Sequence, residues 1–206
     1  MDAENRSSTP HQPISSTPKK SVRAHAREWL QVILIALVIS LPIRFFIAEP
    51  FVVNGASMDP TFSTGQFLIV DRLTYRFEQP SRGDVIVFKY PNNPSVYFIK
   101  RIIGLPGETL SIKDGIVTVI NSENPKGLTL DETYIDQTHR SHETTTTKLG
   151  ANQYFVMGDN RAQSSDSRVW GALDKGLITG RPIVRLLPVN QLSILPGIHH
   201  EYPQTK

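Results

Sequence analysis

Thr109-Leu-Ser-Ile-Lys-Asp-Gly-Ile-Val-Thr-Val-Ile120 sets two short runs with apolar residues at alternate positions on either side of an Asp-Gly pair. A period of two is that of a strand with one buried face, and Lys113-Asp-Gly115 carries the signal of a tight hairpin turn. The stretch therefore reads as two antiparallel strands, Thr109–Ile112 and Ile116–Ile120. The same pattern extends outward. Phe67–Val70, Val85–Phe88, Val96–Ile103, Tyr154–Met157 and Ile183–Leu187 are further short apolar runs, with Pro and Gly between them. A mainly β domain is the expected result. Residues 121–150 hold mostly polar residues and a Thr144–Thr147 run, and read as a variable, loop-rich segment. His139 and His142 lie three apart within it. No helix or third ligand accompanies them, so they read as loop residues rather than a metal site. His199 and His200 fall in a polar C-terminal tail and read the same way.

The chain has 206 residues, which suits one domain plus extensions. A hydrophobic content of 39% is enough for most of it to fold around a core. The formal charge of +3 is too small to argue for nucleic acid, and no basic stripe with interleaved aromatics appears. The absence of cysteine excludes a disulfide framework, thiol catalysis and a cysteine zinc site. No cofactor, metal or nucleic acid is expected.

Residues 1–21, rich in Ser, Thr, Pro and charge, are expected to form a disordered tail. Lys19, Lys20, Arg23 and Arg27 follow, and then an uncharged stretch from Trp29 to Ile43. Arg44 interrupts it before Phe45-Phe-Ile-Ala48 resumes the apolar character. From Trp29 to Ala48 the stretch approaches the ~20 residues of a membrane-spanning helix. It is long for the core of a cleaved signal peptide and lacks a small-x-small site. Gln31 and Ser40 alone do not make the polar face of a soluble helix. The expectation is one N-terminal transmembrane anchor within residues 22–48. The preceding positive charge predicts a cytoplasmic N-terminus, with the rest of the chain across the membrane. A catalytic β-domain would occupy residues 49–190 and a tail residues 191–206.

Three blocks carry the chemistry. Gly55-Ala-Ser-Met-Asp-Pro-Thr61 puts Ser57 a few residues after the anchor, in a turn stiffened by Pro60. A serine hydroxyl needs a base within hydrogen-bond reach, and a serine in a turn can equally serve only to satisfy backbone groups. In Tyr97-Phe-Ile-Lys-Arg-Ile-Ile-Gly104, alternation puts Phe98, Lys100 and Ile102 on one face. Burial there would lower the lysine pKa and leave a neutral amine able to accept a proton. The strand alone favours an ammonium that snorkels out at an edge. The third block is Gly158-Asp-Asn-Arg-Ala-Gln-Ser-Ser-Asp-Ser-Arg-Val-Trp-Gly171. Taken singly its parts are a tight turn and a surface ion-pair cluster.

In this order, and together with Gly83-Asp-Val-Ile-Val-Phe88 and Lys100–Glu108, the blocks resemble the type I signal peptidases over about Trp29 to Leu187. Those are membrane-bound serine proteases that use a lysine as base. The resemblance implies a catalytic domain of coiled antiparallel sheets, with Ser57 as nucleophile and Lys100 as general base. Ser164 matches the serine that hydrogen-bonds and orients the lysine, and Asp166 the acidic residue supporting it, with Arg168 as ion partner. Gly55 stands where some members carry a serine that donates to the oxyanion, so backbone donors should serve here. The implied substrate is a secretory preprotein with small residues one and three positions before the cut, processed at the plasma membrane on its extracytoplasmic side. Met58, Phe98 and Ile99 are candidates for lining the pockets, and membrane lipid is an expected partner. Two rivals are a soluble self-cleaving repressor-type protease, against which Trp29–Ala48 argues, and a membrane-anchored scaffold without catalysis. The scaffold would have no reason to keep Ser57, Lys100 and Ser164 together.

Overall fold

A computed structural model describes residues 22–42, 47–135 and 137–197. The chain divides into two compact units, Met1–Leu41 and Pro42–Lys206. The described part of the first belongs to one helix, α1 (Val22–Pro42). Large apolar side chains from Trp29 to Leu41 are 45–67% exposed, and they lie on every side of the helix. No described helix is long and apolar enough to cross a membrane. The transmembrane helix expected from Trp29 to Ala48 is thus not found among the described residues. The uncharged part of α1, Trp29–Pro42, measures about 21 Å at about 1.5 Å per residue. Ala48 already belongs to a strand, and residues 43–46 lie outside the described residues. So do the expected N-terminal tail, His199 and His200.

The second unit is built on two antiparallel sheets. The strands are β1 (Ala48–Val52), β2 (Phe67–Asp71), β3 (Val85–Tyr90), β4 (Asn93–Gly104), β5 (Thr109–Lys113), β6 (Ile116–Ile120), β7 (Leu128–Thr129), β8 (Thr145–Lys148), β9 (Gln153–Met157), β10 (Leu173–Asp174), β11 (Ile178–Leu187) and β12 (Ser193–Ile194). The larger sheet runs β1-β2-β11-β3-β4-β9-β10, with β12 on β11, and the smaller runs β7-β6-β5-β8. Seven of these strands were expected from the sequence. The Asp114 and Gly115 φ angles of 49° and 75° are those of the tight hairpin turn, and Lys113 pairs with Ile116 across it. The Thr144–Thr147 run, expected as loop, corrects to β8. Its threonines pair with Leu110 and Ile112 of β5 at the sheet edge.

Three apolar clusters fill the unit. Ile103, Phe155 and Met157 of the larger sheet pack with Leu110, Ile112, Val117 and Val119 of the smaller. A second cluster, with Ile86, Phe88, Ile102, Tyr154, Val156 and Leu173, includes residues on the other face of β4 and β9. A third joins Val53, Met58, Phe62, Leu68 and Val85 beneath the segment that carries Ser57.

Candidate active site

Lys100 lies in the middle of the sheet, on β4 opposite Ile86 of β3. Phe98 and Ile102, two residues to either side, both belong to the second cluster, so the lysine stem has no polar neighbour along its own face. The residue is 3% exposed, and its Nζ lies 5.1 Å from the centre of the Phe98 ring. Burial lowers its pKa from 10.5 to about 8, against the upward pull of Asp166 and Asp159. Nζ donates to Ile99 O at 2.9 Å and lies 2.7 Å from Ser57 Oγ. An ammonium donates across that second contact, whereas a neutral amine accepts the serine proton across it.

Ser57 reaches the lysine because its segment is pinned from two sides. Below it, Met58 and Phe62 are anchored in the third cluster, and Phe62 N–H donates to Met58 O at 2.8 Å. Beside it, Asn160 N–H donates to Ser57 O at 3.1 Å, and Asn160 Nδ2 donates to Ala56 O at 3.1 Å. Gly158 is indispensable to this approach. A Cβ there would lie 2.3 Å from Ser57 O and 2.3 Å from Ser164 Oγ.

The Gly158–Gly171 block folds around buried charge. Asp166 caps α2 (Ser167–Trp170), accepting from Arg168 N–H at 3.2 Å. Its carboxylate also takes Gly158 N–H at 3.0 Å and two Arg168 guanidinium donors, both at 2.7 Å. Burial pushes the Asp166 pKa up, but the Arg168 guanidinium and the Gly158 amide outweigh it, and the carboxyl stays below its usual range. Arg168 further holds Glu143 and the Arg161 carbonyl. The structure thus joins Asp166 and Arg168 as expected from the sequence. It does not join Ser164 to Lys100. Ser164 Oγ is buried against Gly158 and faces the Asp166 carboxylate, whose pKa it helps to hold down, rather than the Lys100 amine. The second acceptor of Lys100 is instead its neighbour's carbonyl, Ile99 O.

Two residues of the site were not singled out in the sequence. Arg101, 0% exposed, donates to Asp159 through Nε at 2.8 Å and a terminal nitrogen at 2.6 Å. Asp159 also accepts from Thr61 Oγ1 at 2.6 Å. This pair ties the strand of Lys100, the loop of Asn160 and the segment of Ser57 into one unit. The signal was an arginine beside Lys100, on the inward face of an apolar strand.

Ser57 and Lys100 open onto a cleft of about 300 Å³. Phe51, Val53, Leu68, Val87, Phe98 and Ile99 supply apolar wall, and Gln163 and Ser165 add polar groups. Phe98 and Ile99 therefore line it as expected. Met58 does not: at 1% exposed it is part of the core under the segment, because its side chain points away from the cleft. Gly55 lies on the cleft with φ of 102°, its N–H donating to Thr64 Oγ1 at 3.0 Å. His142 is at the surface, 2.8 Å from Asp114 of the β5–β6 turn.

A family model described as signal peptidase, peptidase S26, matches residues 26–187. A signal peptidase I of Leptolyngbya laminosa is 39% identical over 207 residues, covering 95% of this chain and 97% of its own length. A signal peptidase I of Bacillus licheniformis is 34% identical over 175 residues, covering 80% of this chain and 90% of its own. A crystal structure of a signal peptidase I from Enterococcus faecalis V583 is 29% identical with a TM-score of 0.43, covering 50% of this chain and 97% of that chain.

Proposed function

This chain belongs to the signal peptidase family, peptidase S26, whose members are serine endopeptidases that cleave signal peptides; from that premise we propose that Ser57 is its nucleophile and Lys100 its general base. The observation that carries the reading is the 2.7 Å contact between Lys100 Nζ and Ser57 Oγ at a lysine 3% exposed. Desolvation lowers the lysine pKa to about 8, so a neutral fraction exists near neutral pH. That amine takes the Ser57 proton as Oγ attacks the scissile carbonyl. The resulting ammonium gives the proton to the leaving amine, and water then releases the acyl group by the same steps in reverse order of roles. Backbone N–H groups of the Ser57 turn serve the oxyanion, since Gly55 has no hydroxyl. Asp159 with Arg101 holds the loop after β9 against the strand of Lys100, and Asp166 with Arg168 holds the fold of the Gly158–Gly171 block beside Ser57.

The substrate is a secretory preprotein with small residues before the cut. The apolar wall of Phe98 and Ile99 leaves a shallow cleft that excludes larger side chains. The enzyme is attached to the plasma membrane through the apolar segment of which α1 is the described part. A helix with exposed apolar residues on all sides has no favourable solution in water. The basic residues before it put the N-terminus in the cytoplasm and the 49–190 domain on the far side. Cleavage of a preprotein by full-length Ser57→Ala in detergent tests the nucleophile. The expected loss is at least about 10³-fold with an unchanged circular dichroism spectrum. Processing at the rate of the unaltered chain would exclude Ser57.

A further inference from the structure

Asn160 holds the two carbonyls that flank Ser57. Its N–H donates to Ser57 O at 3.1 Å, and its Nδ2 donates to Ala56 O at 3.1 Å. Its Oδ1 accepts from Gln163 N–H at 3.2 Å, which fixes the amide with its nitrogen toward Ala56. The residue is 5% exposed, and both its neighbours are anchored. Asp159 is paired with Arg101. Arg161 is paired with Glu132, and its Nε–H donates to Gly158 O at 3.0 Å. The amide donor is therefore held in one place.

The peptide that this donor grips gives it a role in the chemistry. The Ala56–Ser57 peptide is trans, so its carbonyl and its N–H point to opposite sides. Ala56 and Ser57 line the cleft and Asn160 does not. With Ala56 O turned to Asn160, the Ser57 N–H is turned toward the cleft, and no described residue accepts from it. The Gly55 N–H, by contrast, is taken by Thr64 Oγ1 at 3.0 Å. Ala56 O also accepts from Asp59 N–H at 3.2 Å, and a carbonyl with two donors makes the N–H of its peptide a stronger donor in turn. The nucleophile's own N–H is an oxyanion donor in serine proteases built on a different base. Resting on the assignment of Ser57 as nucleophile, we propose that Asn160 is a positioning residue for the oxyanion site: its amide aims and polarises the Ser57 N–H that meets the developing negative charge.

The test compares two inhibitors of the full-length protein in detergent, a signal-sequence peptide ending in alaninal and the same peptide ending in alaninol. On the aldehyde, Ser57 Oγ bonds the carbonyl carbon, the carbonyl electron pair moves onto oxygen and the hydroxyl proton passes to Lys100, which leaves an oxyanion. The alcohol forms none. Asn160→Ser keeps an acceptor for the Gln163 N–H and loses the amide donor. It should lower kcat about 10²-fold with KM within about threefold. The aldehyde should weaken in the same proportion as kcat, while the alcohol and the pH at which kcat/KM levels stay unchanged. Asn160→Asp, of the same size, turns a carboxylate oxygen to Ala56 O and should weaken the aldehyde at least as much. Equal weakening of the two inhibitors, or no weakening of the aldehyde, in both variants would overturn the proposal. An aldehyde no tighter than the alcohol on the unaltered chain would overturn the Ser57 assignment and this proposal with it.

Discussion

Arg101 and Asp159 face each other through two parallel hydrogen bonds, 2.8 and 2.6 Å long, with side chains 0% and 1% exposed. Two charges so deeply buried are stable only as a pair. Removing Asp159 takes the counter-ion from a desolvated guanidinium, which keeps the Gly83 and Gly197 carbonyls as acceptors. Asp159→Ala should therefore lower the unfolding free energy by about 3–5 kcal/mol. Replacing both residues by apolar ones of similar size should recover part of that loss. Denaturant unfolding of the three variants checks this. A destabilisation below about 0.5 kcal/mol for Asp159→Ala would be surface behaviour and would contradict the assignment.

Lys100→Met should be inactive yet at least as stable as the unaltered chain at neutral pH. The folded pKa of about 8 lies below the unfolded value of 10.5, so the folded state binds fewer protons between them. Stability consequently rises with pH across that window, and the destabilisation is complete below pH 8 and gone above 10.5. The difference corresponds to about 3 kcal/mol, from which the lost contacts to Ser57 and Ile99 must be subtracted. Denaturant unfolding at pH 7 and pH 10 should show the rise in the lysine protein and not in the methionine one. A Met variant markedly less stable at pH 7 would mean that a charged lysine stabilises the fold.

Gly158→Ala should damage catalysis through position alone. The added methyl would meet the Ser57 carbonyl and the Ser164 hydroxyl, both at 2.3 Å. Because the first of these is backbone, relief requires the Ser57 segment to shift. A displacement near 1 Å can lower turnover by about 10²-fold. Preprotein cleavage with a melting scan measures both effects. Unchanged kcat/KM would show that the segment moves without disturbing Ser57.

Local features of the fold were legible and distant ones were not. The β5–β6 hairpin could be read because everything that specifies it lies within Thr109–Ile120. The start of β11 was missed because Gly180 and Pro182 interrupt its apolar run. Gly180 is there for close approach, since a Cβ would lie 1.9 Å from Asp71 O. The edge strand β1 was hidden by Pro50, which an edge tolerates, and by its junction with the preceding apolar stretch. β8 was hidden because a run of threonines shows no alternation of apolar and polar residues. In the site, alternation placed Lys100 between Phe98 and Ile102 but favoured a snorkelling ammonium, and its partner Ser57, 43 residues away, came only through resemblance. Arg101 and Asp159 are 58 residues apart, and although Arg101 interrupts an apolar strand face, Asp159 carries no periodic signal that would pair them.

The chain holds no cysteine, which makes its topology directly measurable. Single replacements Ser8→Cys and Lys126→Cys put one thiol before α1 and one on the exposed loop after β6. A membrane-impermeant maleimide added to spheroplasts should label position 126 and spare position 8 until the cells are lysed. The reverse pattern would overturn the cytoplasmic N-terminus, and labelling of both would exclude a crossing between them.

Activation of Ser57 by a neutral Lys100 makes the pH dependence of kcat/KM on a preprotein the decisive measurement. The free enzyme titrates in this quantity, and Lys100 must lose its proton before it can accept another. The rate should rise about tenfold per pH unit at low pH, bending to a plateau near the lysine pKa of about 8. A profile that stays flat from mildly acidic to alkaline pH, with the protein folded and chemistry rate-limiting, would contradict it.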